Sequence, residues 1–235
     1  MSDETLVADP EVAVKRACGL IVDLDYTVFD GIATLEKTCE KAFGAVGVTV
    51  DKSVFVRSLF GAKMVPSINA LVGTGSETKA ETVLASIVSA MDKAIETSPP
   101  NPAVVDVCKK AIETGCKIIF VTSRAMNVVE ARLEALDLAD GLVFRADRSD
   151  RFGEYSADSW IRAARMIRLN PRHCTAIASS ALSVRQAIVA GMRTAAVTNP
   201  LINFQDFTGA DFISAGNDHD TIVSSVMEIL LSQLN

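Results

Sequence analysis

Two aspartates two positions apart follow the first apolar run of this chain. Asp23 and Asp25 come directly after the run GLIV at 19–22. Such a run is typical of a buried strand, and open α/β sheets hold their ligands outside the carboxyl ends of their strands. Because side chains at positions i and i+2 of an extended segment point the same way, we expect both carboxylates to face one pocket. Two acids so placed suit phosphoryl transfer, one as nucleophile and one as proton shuttle. The alternative is a purely structural pair that caps a turn.

The elements that must position this pair follow from the hydrophobic pattern. Four further apolar runs lie at 117–122, 141–144, 174–178 and 194–198. They are apolar throughout rather than alternating, which is typical of parallel strands covered on both faces. Helical patterns lie near 101–114, 126–137, 157–168, 181–190 and 220–234. The sequence therefore predicts an α/β fold with a Rossmann-like, doubly wound parallel sheet.

A long insertion separates the first strand from the second. The gap of roughly ninety residues is too long for a single crossover helix. Residues 33–96 show helical periodicity, with breaks near Gly61, at Gly73 and Gly75, and at the proline-rich stretch 98–102. We expect a core domain formed by residues 1–31 and 99–235, and a helical domain of about four helices at 32–98.

Composition narrows the possible partners and compartment. The chain has 235 residues, a formal net charge of −6 and a pI near 5.0, which argues against a nucleic-acid or anionic-membrane partner. No apolar run approaches the ~20 residues that span a bilayer, and the amino terminus does not resemble a secretory signal. Five cysteines without metal-binding spacing predict reduced, mostly buried thiols in a cytoplasmic protein.

Several segments together resemble the haloacid dehalogenase (HAD) superfamily. The chain is similar to its phosphatase and β-phosphoglucomutase-like branch, in which a helical cap follows the first strand. The resemblance covers nearly the whole chain and rests on DLDYTVFDG at 23–31, FGAKMVPSINALVG at 60–73, NPAVVDVCKKAIETGCKIIFVTSR at 101–124, and LNPRHCTAIASSALSVRQAIVAGM at 169–192.

This resemblance implies roles for individual residues. Asp23 would take the phosphoryl group, while Asp25 would protonate the leaving oxygen and then activate water. Thr27 would support their loop, Thr122 would donate a hydrogen bond to a phosphoryl oxygen, and Gly31 would open the flexible linker into the cap. A threonine that ends a strand is also commonplace without function.

Further substrate contacts are implied for three polar residues: Ser123, Arg124 and Lys63. For the two basic side chains, a role without substrate contact is the alternative. Lys63 lies in a segment from which caps of the family contact substrate, but a surface lysine is the favoured alternative. Arg124 begins a helix and could instead serve the sheet edge structurally.

The chain departs from the family pattern at the third motif, where a lysine or arginine clamps the nucleophile and the phosphate. Alignment on Asp158 places Glu154 where that cation should be. Arg151 is the predicted replacement, and Arg148 and Arg145 are further alternatives. Each of the three could also be a solvated surface arginine.

The fourth motif departs as well. The family carries acids after the strand at 174–178, but this chain has Ala178-Ser179-Ser180 there. Mg²⁺ is the implied cofactor, held by Asp23 and Asp25 in a site that is weakened because oxygen ligands are missing.

Three functional hypotheses follow. The first is a HAD-type phosphatase that acts on a small phosphorylated metabolite through an aspartyl-phosphate. The second is a catalytically impaired HAD-like domain with a binding or regulatory role. The third is a hydrolase similar to the 2-haloacid dehalogenases, which carry a serine pair at the position of Ser179 and Ser180.

Overall fold

The computed structural model describes residues 17–51, 64–73, 75–146, 155–214 and 218–234. Within these residues, six strands form one sheet in the order β3-β2-β1-β4-β5-β6, and every neighbouring pair is parallel. The strands are β1 Gly19–Asp23, β2 Lys117–Thr122, β3 Leu142–Arg145, β4 Cys174–Ala178, β5 Arg193–Ala196 and β6 Phe212–Ile213. The predicted α/β fold is confirmed, and no described helix is long and apolar enough to cross a membrane.

The strand order has a switch point at β1. The chain runs outward from β1 through β2 to β3, and then returns to the opposite side of β1 with β4. The register pairs Gly19 with Lys117 on one side and with Cys174 on the other. A crevice forms where the strand order reverses in such sheets, so the carboxyl end of β1 is the expected ligand position.

Eight described helices flank the sheet or lie in the insertion. They are α1 Gly31–Ala45, α2 Met64–Val72, α3 Glu77–Thr97, α4 Pro102–Glu113, α5 Met126–Glu134, α6 Ala157–Met166, α7 Ala181–Val189 and α8 His219–Leu231. Polar side chains cap the amino ends of several of these helices. Asn101 accepts from the backbone of α4, which begins with a proline, and Ser156 and Ser180 cap α6 and α7.

The two faces of the sheet bury separate apolar clusters. Leu20 and Val22 pack with α4, α5 and α8 on one face. Ile21 points the other way and packs with α6 and α7, including Trp160 and Val184. β1 is therefore buried on both sides, which explains why its sequence is apolar throughout.

The helices α1, α2 and α3, which follow β1, share a third cluster. Leu35 and Phe43 of α1 pack with Ile68 of α2 and with Val83 and Ile87 of α3. The predicted break between α2 and α3 is observed, since Gly73 and Gly75 have φ of 92° and 80°. These values favour glycine because other residues rarely adopt them.

Two chain segments that connect these helices to the sheet lie side by side. Phe29 pairs with Pro100 in an antiparallel bridge, the Asp30 N–H donates to the Pro99 carbonyl at 3.4 Å, and the Asn101 N–H donates to the Val28 carbonyl at 2.7 Å. We call these residues, 28–30 and 99–101, the paired linkers. They hold the beginning and the end of the insertion together.

Arg132 of α5 fastens the paired linkers to the core. Its Nη1 and Nη2 donate to the carbonyl oxygens of Glu96 and Ser98 at 2.8 and 2.7 Å. Its guanidinium also lies 4.6 Å from the centre of the Phe29 ring. One side chain thus contacts the first linker at Phe29 and the end of the chain segment that leads into the second linker.

The prediction of five reduced thiols is wrong for one pair. Cys18 and Cys116 form a disulfide, with Cα atoms 5.2 Å apart. They directly precede Gly19 and Lys117, which are register partners in β1 and β2, so the sheet places them opposite each other. Cys39, Cys108 and Cys174 are free and buried, as expected.

Candidate functional site

Asp23 ends β1 and Asp25 lies within a π-helical turn that follows it. The turn spans Leu24–Val28 and all five of its residues are buried. It closes through the Phe29 N–H, which donates to the Leu24 carbonyl at 3.3 Å, and the Thr27 hydroxyl donates to the Asp23 carbonyl at 2.5 Å. Thr27 therefore supports the loop by bonding its backbone.

The carboxylate of Asp25 accepts hydrogen bonds at both oxygens from the end of β2. The Thr122 hydroxyl donates to Oδ1 at 2.6 Å. The Ser123 N–H and hydroxyl donate to Oδ2 at 3.1 and 2.8 Å. The Arg124 N–H donates in turn to the Thr122 oxygen at 3.1 Å, which orients that hydroxyl. In each of these contacts with Asp25 the carboxylate is the acceptor, as in an ionised carboxylate.

Two more side chains reach the same carboxylate. The Arg124 Nε lies 3.6 Å from Asp25 Oδ2, and both side chains are almost wholly buried. The Tyr155 hydroxyl donates to Oδ2 at 3.3 Å, and its ring packs edge-on against Trp160. A buried ion pair needs such additional hydrogen bonds to offset the loss of hydration.

Gly31 has a steric role at the start of α1. A Cβ atom at this position would lie 2.2 Å from the Asp25 carbonyl oxygen and 2.8 Å from the Tyr26 ring. The π-helical turn and the first turn of α1 therefore pack without room for a side chain. The role of Gly31 as a flexible joint stays a prediction.

Ser179 and Ser180 follow β4, the strand beside β1. Both are buried. Ser180 caps α7, since its hydroxyl accepts from the Ser183 N–H at 3.2 Å. The Ser179 hydroxyl is buried without a hydrogen-bond partner among the described residues. Hydroxyl groups thus stand at this end of β4 instead of carboxylates.

One of the remaining predicted site residues lies on the surface, and the others lie outside the described residues. Arg145 ends β3 and is exposed. Lys63, Arg148, Arg151 and Glu154 lie outside the described residues, so their proposed roles stay predictions.

The described residues offer few ligands to Mg²⁺, which prefers six oxygen ligands and usually keeps several waters. Asp23 offers a carboxylate, but both oxygens of Asp25 accept hydrogen bonds and its carbonyl oxygen packs against Gly31. Among the residues that the structure describes, no group of three or more His, Cys, Asp or Glu could hold a metal ion.

A cavity of about 340 Å³ adjoins the π-helical turn. It is lined by Tyr26 and Thr27, by the paired linkers, by the loop from Val197 to Pro200 and by His219. Neither Asp23 nor Asp25 lines it, so the cavity and the paired aspartates are separate features of this edge of the sheet.

Tyr155 is the site residue that sequence reasoning missed. It lies just before the cap of α6, far along the chain from Asp25, in a segment without local periodicity. The available signal was topological, because the segment leads from β3, which neighbours β2, to a helix that packs beneath β1.

The chain is similar to solved structures of HAD-family hydrolases. CbbY from Rhodobacter sphaeroides, solved in complex with xylulose-(1,5)-bisphosphate, aligns with a TM-score of 0.65 at 17% identity over 84% of this chain and 93% of that one. β-Phosphoglucomutase from Clostridium difficile gives 0.63 at 17% identity, over 92% of this chain and 100% of that one.

A third similar structure is a HAD family hydrolase from Deinococcus radiodurans R1 with bound phosphate and sodium. It gives a TM-score of 0.67 at 12% identity, over 92% of this chain and 97% of that one. No family model and no curated protein matches the chain. These alignments confirm the predicted HAD-like fold.

Proposed function

We propose that this chain is a HAD-type phosphatase that acts on a small phosphorylated metabolite through an aspartyl-phosphate at Asp23. One observation carries the proposal. Asp23 ends the strand at which the sheet order reverses, and the neighbouring strand ends in the hydrogen-bond donors of Thr122, Ser123 and Arg124. A nucleophilic carboxylate beside anion-binding donors is the requirement for phosphoryl transfer.

In the first step, a carboxylate oxygen of Asp23 attacks phosphorus and the ester P–O bond breaks. Asp25, which takes a proton from solvent as the substrate binds, gives that proton to the leaving oxygen. In the second step, water attacks the phosphorus, Asp25 takes its proton, and the bond between phosphorus and Asp23 breaks. The donors at the end of β2 stabilise the negative charge on the phosphoryl oxygens throughout.

The helices α1, α2 and α3 are proposed as the cap, in a domain that spans residues 32–98, over a core formed by 1–31 and 99–235. In the described part of the chain, the apolar cluster that joins them takes just two buried residues from outside 32–98, Tyr26 and Ile202, which supports this division. In this arrangement the cap excludes water from the acyl phosphate and selects the metabolite.

A second candidate is a binding domain without turnover. It is favoured by the engagement of both Asp25 oxygens and by the hydroxyl groups at Ser179 and Ser180. A domain of this kind would bind a phosphorylated ligand and leave it intact.

The test measures phosphate release from p-nitrophenyl phosphate and from a panel of sugar and glycolytic phosphates, with Mg²⁺ and with EDTA. We expect turnover by the wild type and a loss of about 10³-fold or more in Asp23→Asn, because the nucleophile is gone. Asp140→Asn is the matched control, since Asp140 is exposed in the loop before β3, at the opposite edge of the sheet. Activity that survives Asp23→Asn, or no turnover by folded wild type, contradicts the proposal.

A further inference from the structure

The donors around Asp25 form a set that suits a tetrahedral anion. Two hydroxyl groups, one backbone N–H and one guanidinium converge from three consecutive residues, Thr122, Ser123 and Arg124, on one carboxylate. Backbone N–H groups and hydroxyls that converge in this way are the usual phosphate ligands of proteins, and a guanidinium adds the charge. In this structure the anion that these donors bind is the carboxylate of Asp25.

We propose that the Asp25 carboxylate fills an anion-binding site in the ligand-free protein, and that a phosphate monoester or inorganic phosphate must exchange with it. Asp25 then acts as an internal competitor for the donors of Thr122, Ser123 and Arg124. This inference rests on the proposed function, because that function is the reason for taking phosphate as the ligand.

Electrostatics support the exchange. Arg124 is buried with 6% of its surface exposed, so its charge is only weakly screened by water. Asp25 now neutralises it. A phosphate dianion would compete with Asp25 for that charge, since two anions cannot share one buried guanidinium without repulsion.

Tyr155 stabilises the state in which the Asp25 carboxylate occupies the anion-binding site. Its hydroxyl reaches Asp25 from the segment before α6, separate from the end of β2, and it is wholly buried. When the carboxylate leaves the anion-binding donors, this hydrogen bond is broken or rearranged. Tyr155 is therefore a positioning residue that holds the competitor in place.

The exchange links binding to chemistry at Asp25. While the carboxylate oxygens of Asp25 make five contacts with donor groups, they cannot reach the leaving group of a substrate. Displacement by the phosphoryl group frees them at the moment when a proton must be transferred. The apparent affinity for phosphate is reduced by the fraction of molecules in which the site is filled.

The test is the affinity of inorganic phosphate, measured by titration calorimetry in EDTA. In Asp25→Ala the competitor is absent, and we expect phosphate to bind at least about tenfold more tightly than to the wild type. In the double variant Asp25→Ala, Arg124→Met this gain is lost, whereas Asp25→Ala, Arg193→Met keeps it. Arg193 is the matched control because it is an exposed arginine at the opposite end of the sheet.

Tyr155→Phe provides a second route if Asp25→Ala does not fold. It removes one hydrogen bond from the competitor and leaves both charges, so we expect a smaller gain, of about two- to tenfold. Circular dichroism and a cooperative denaturation curve check the fold of each variant. Unchanged or weaker phosphate binding in the folded variants overturns the inference.

The inference and the proposed function fail separately. If the wild type hydrolyses phosphate esters but Asp25→Ala gains no affinity, the competitor is refuted and the phosphatase stands. If affinity rises as expected but no ester is hydrolysed, the anion site stands and the phosphatase falls.

Discussion

At the scale of single residues, the site depends on close contacts around the π-helical turn. Asp25 is fixed by its donors on one side, and its carbonyl oxygen packs against Gly31 on the other. The apolar run correctly predicted that the aspartates lie at the carboxyl end of β1. The expectation that Asp25 continues the extended segment was wrong, because it lies in the π-helical turn. The contact with Gly31 could not be predicted, since it depends on the conformation of the turn.

Gly31→Ala should destabilise the protein by about 1–3 kcal/mol, because the added methyl group would overlap the Asp25 carbonyl. The measurement is the free energy of unfolding in urea. Gly44→Ala is the control in the same helix. A Cβ there meets nothing within 4 Å, and we expect a gain of about 0.5–1 kcal/mol from helix propensity. Equal effects of the two changes would contradict the steric role of Gly31.

His219 makes the unfolding free energy of the protein depend on pH. Its ring nitrogens lie 3.0 Å from Asp220 and 3.0 Å from Asp106. The hydrogen bond to Asp220, followed by that to Asp106, raises the pKa of His219 above its usual value of 6.5. A raised pKa in the folded state means stability that is present below about pH 6.5 and lost as the pH rises through the folded pKa.

Replacement of His219 by Gln should therefore flatten the decline in unfolding free energy between pH 6 and pH 8. Urea denaturation at a series of pH values measures this slope. The exposed His173→Gln is the control and should keep the wild-type slope. A wild-type slope in His219→Gln would show that other groups cause the decline.

At the scale of elements, five of the six described strands were predicted from the sequence, whereas β6 at Phe212–Ile213 was not. The side-chain contacts that join the elements were not predicted either. The strands at 117–122 and 174–178 appear with their predicted bounds because a buried parallel strand is apolar along its whole length. The helices likewise end within a few residues of their predicted bounds. Arg132 gave no such signal, since an arginine on an amphipathic helix is usually solvated and only the tertiary structure directs it to the linkers.

Arg132→Met should weaken the attachment of the paired linkers, with a loss of about 1–3 kcal/mol in unfolding free energy from two charged hydrogen bonds. Hydrogen exchange should rise at the Asp30 and Asn101 amides, which bond across the linkers. Lys109→Met is the control, because its pair with Asp137 is exposed and contributes little. Unchanged exchange at both amides would contradict the role of Arg132.

At the scale of the whole molecule, the fold could be predicted more fully than the pairing of its cysteines. The alternation of strands and helices and the long insertion indicated the architecture. The Cys18–Cys116 pair was missed because cysteine spacing was compared with metal motifs, whereas the informative comparison was between the two residues that precede paired strands. Tyr155 was missed for a related reason, since contacts between distant segments depend on topology.

Thiol titration in denaturant should find three free cysteines before reduction and five after it. Because burial raises the pKa of the Cys39, Cys108 and Cys174 thiols, these three should react slowly in the folded protein. Reduction should lower the unfolding free energy by about 2–4 kcal/mol, since the bond closes a long loop in the unfolded chain. Five reactive thiols in the denatured, unreduced protein would refute the disulfide.

The paired linkers determine which changes of length the segment between β1 and β2 can tolerate. Since Asp30 meets Pro99 and Val28 meets Asn101, the insertion leaves and rejoins the sheet at nearly one point. The core therefore requires only that the two ends of any inserted segment meet there, and the entropy of closing a loop grows slowly with its length. Helices of other lengths could be exchanged at this junction without a change in the order of the strands, so new ligand preferences could arise on an unaltered sheet.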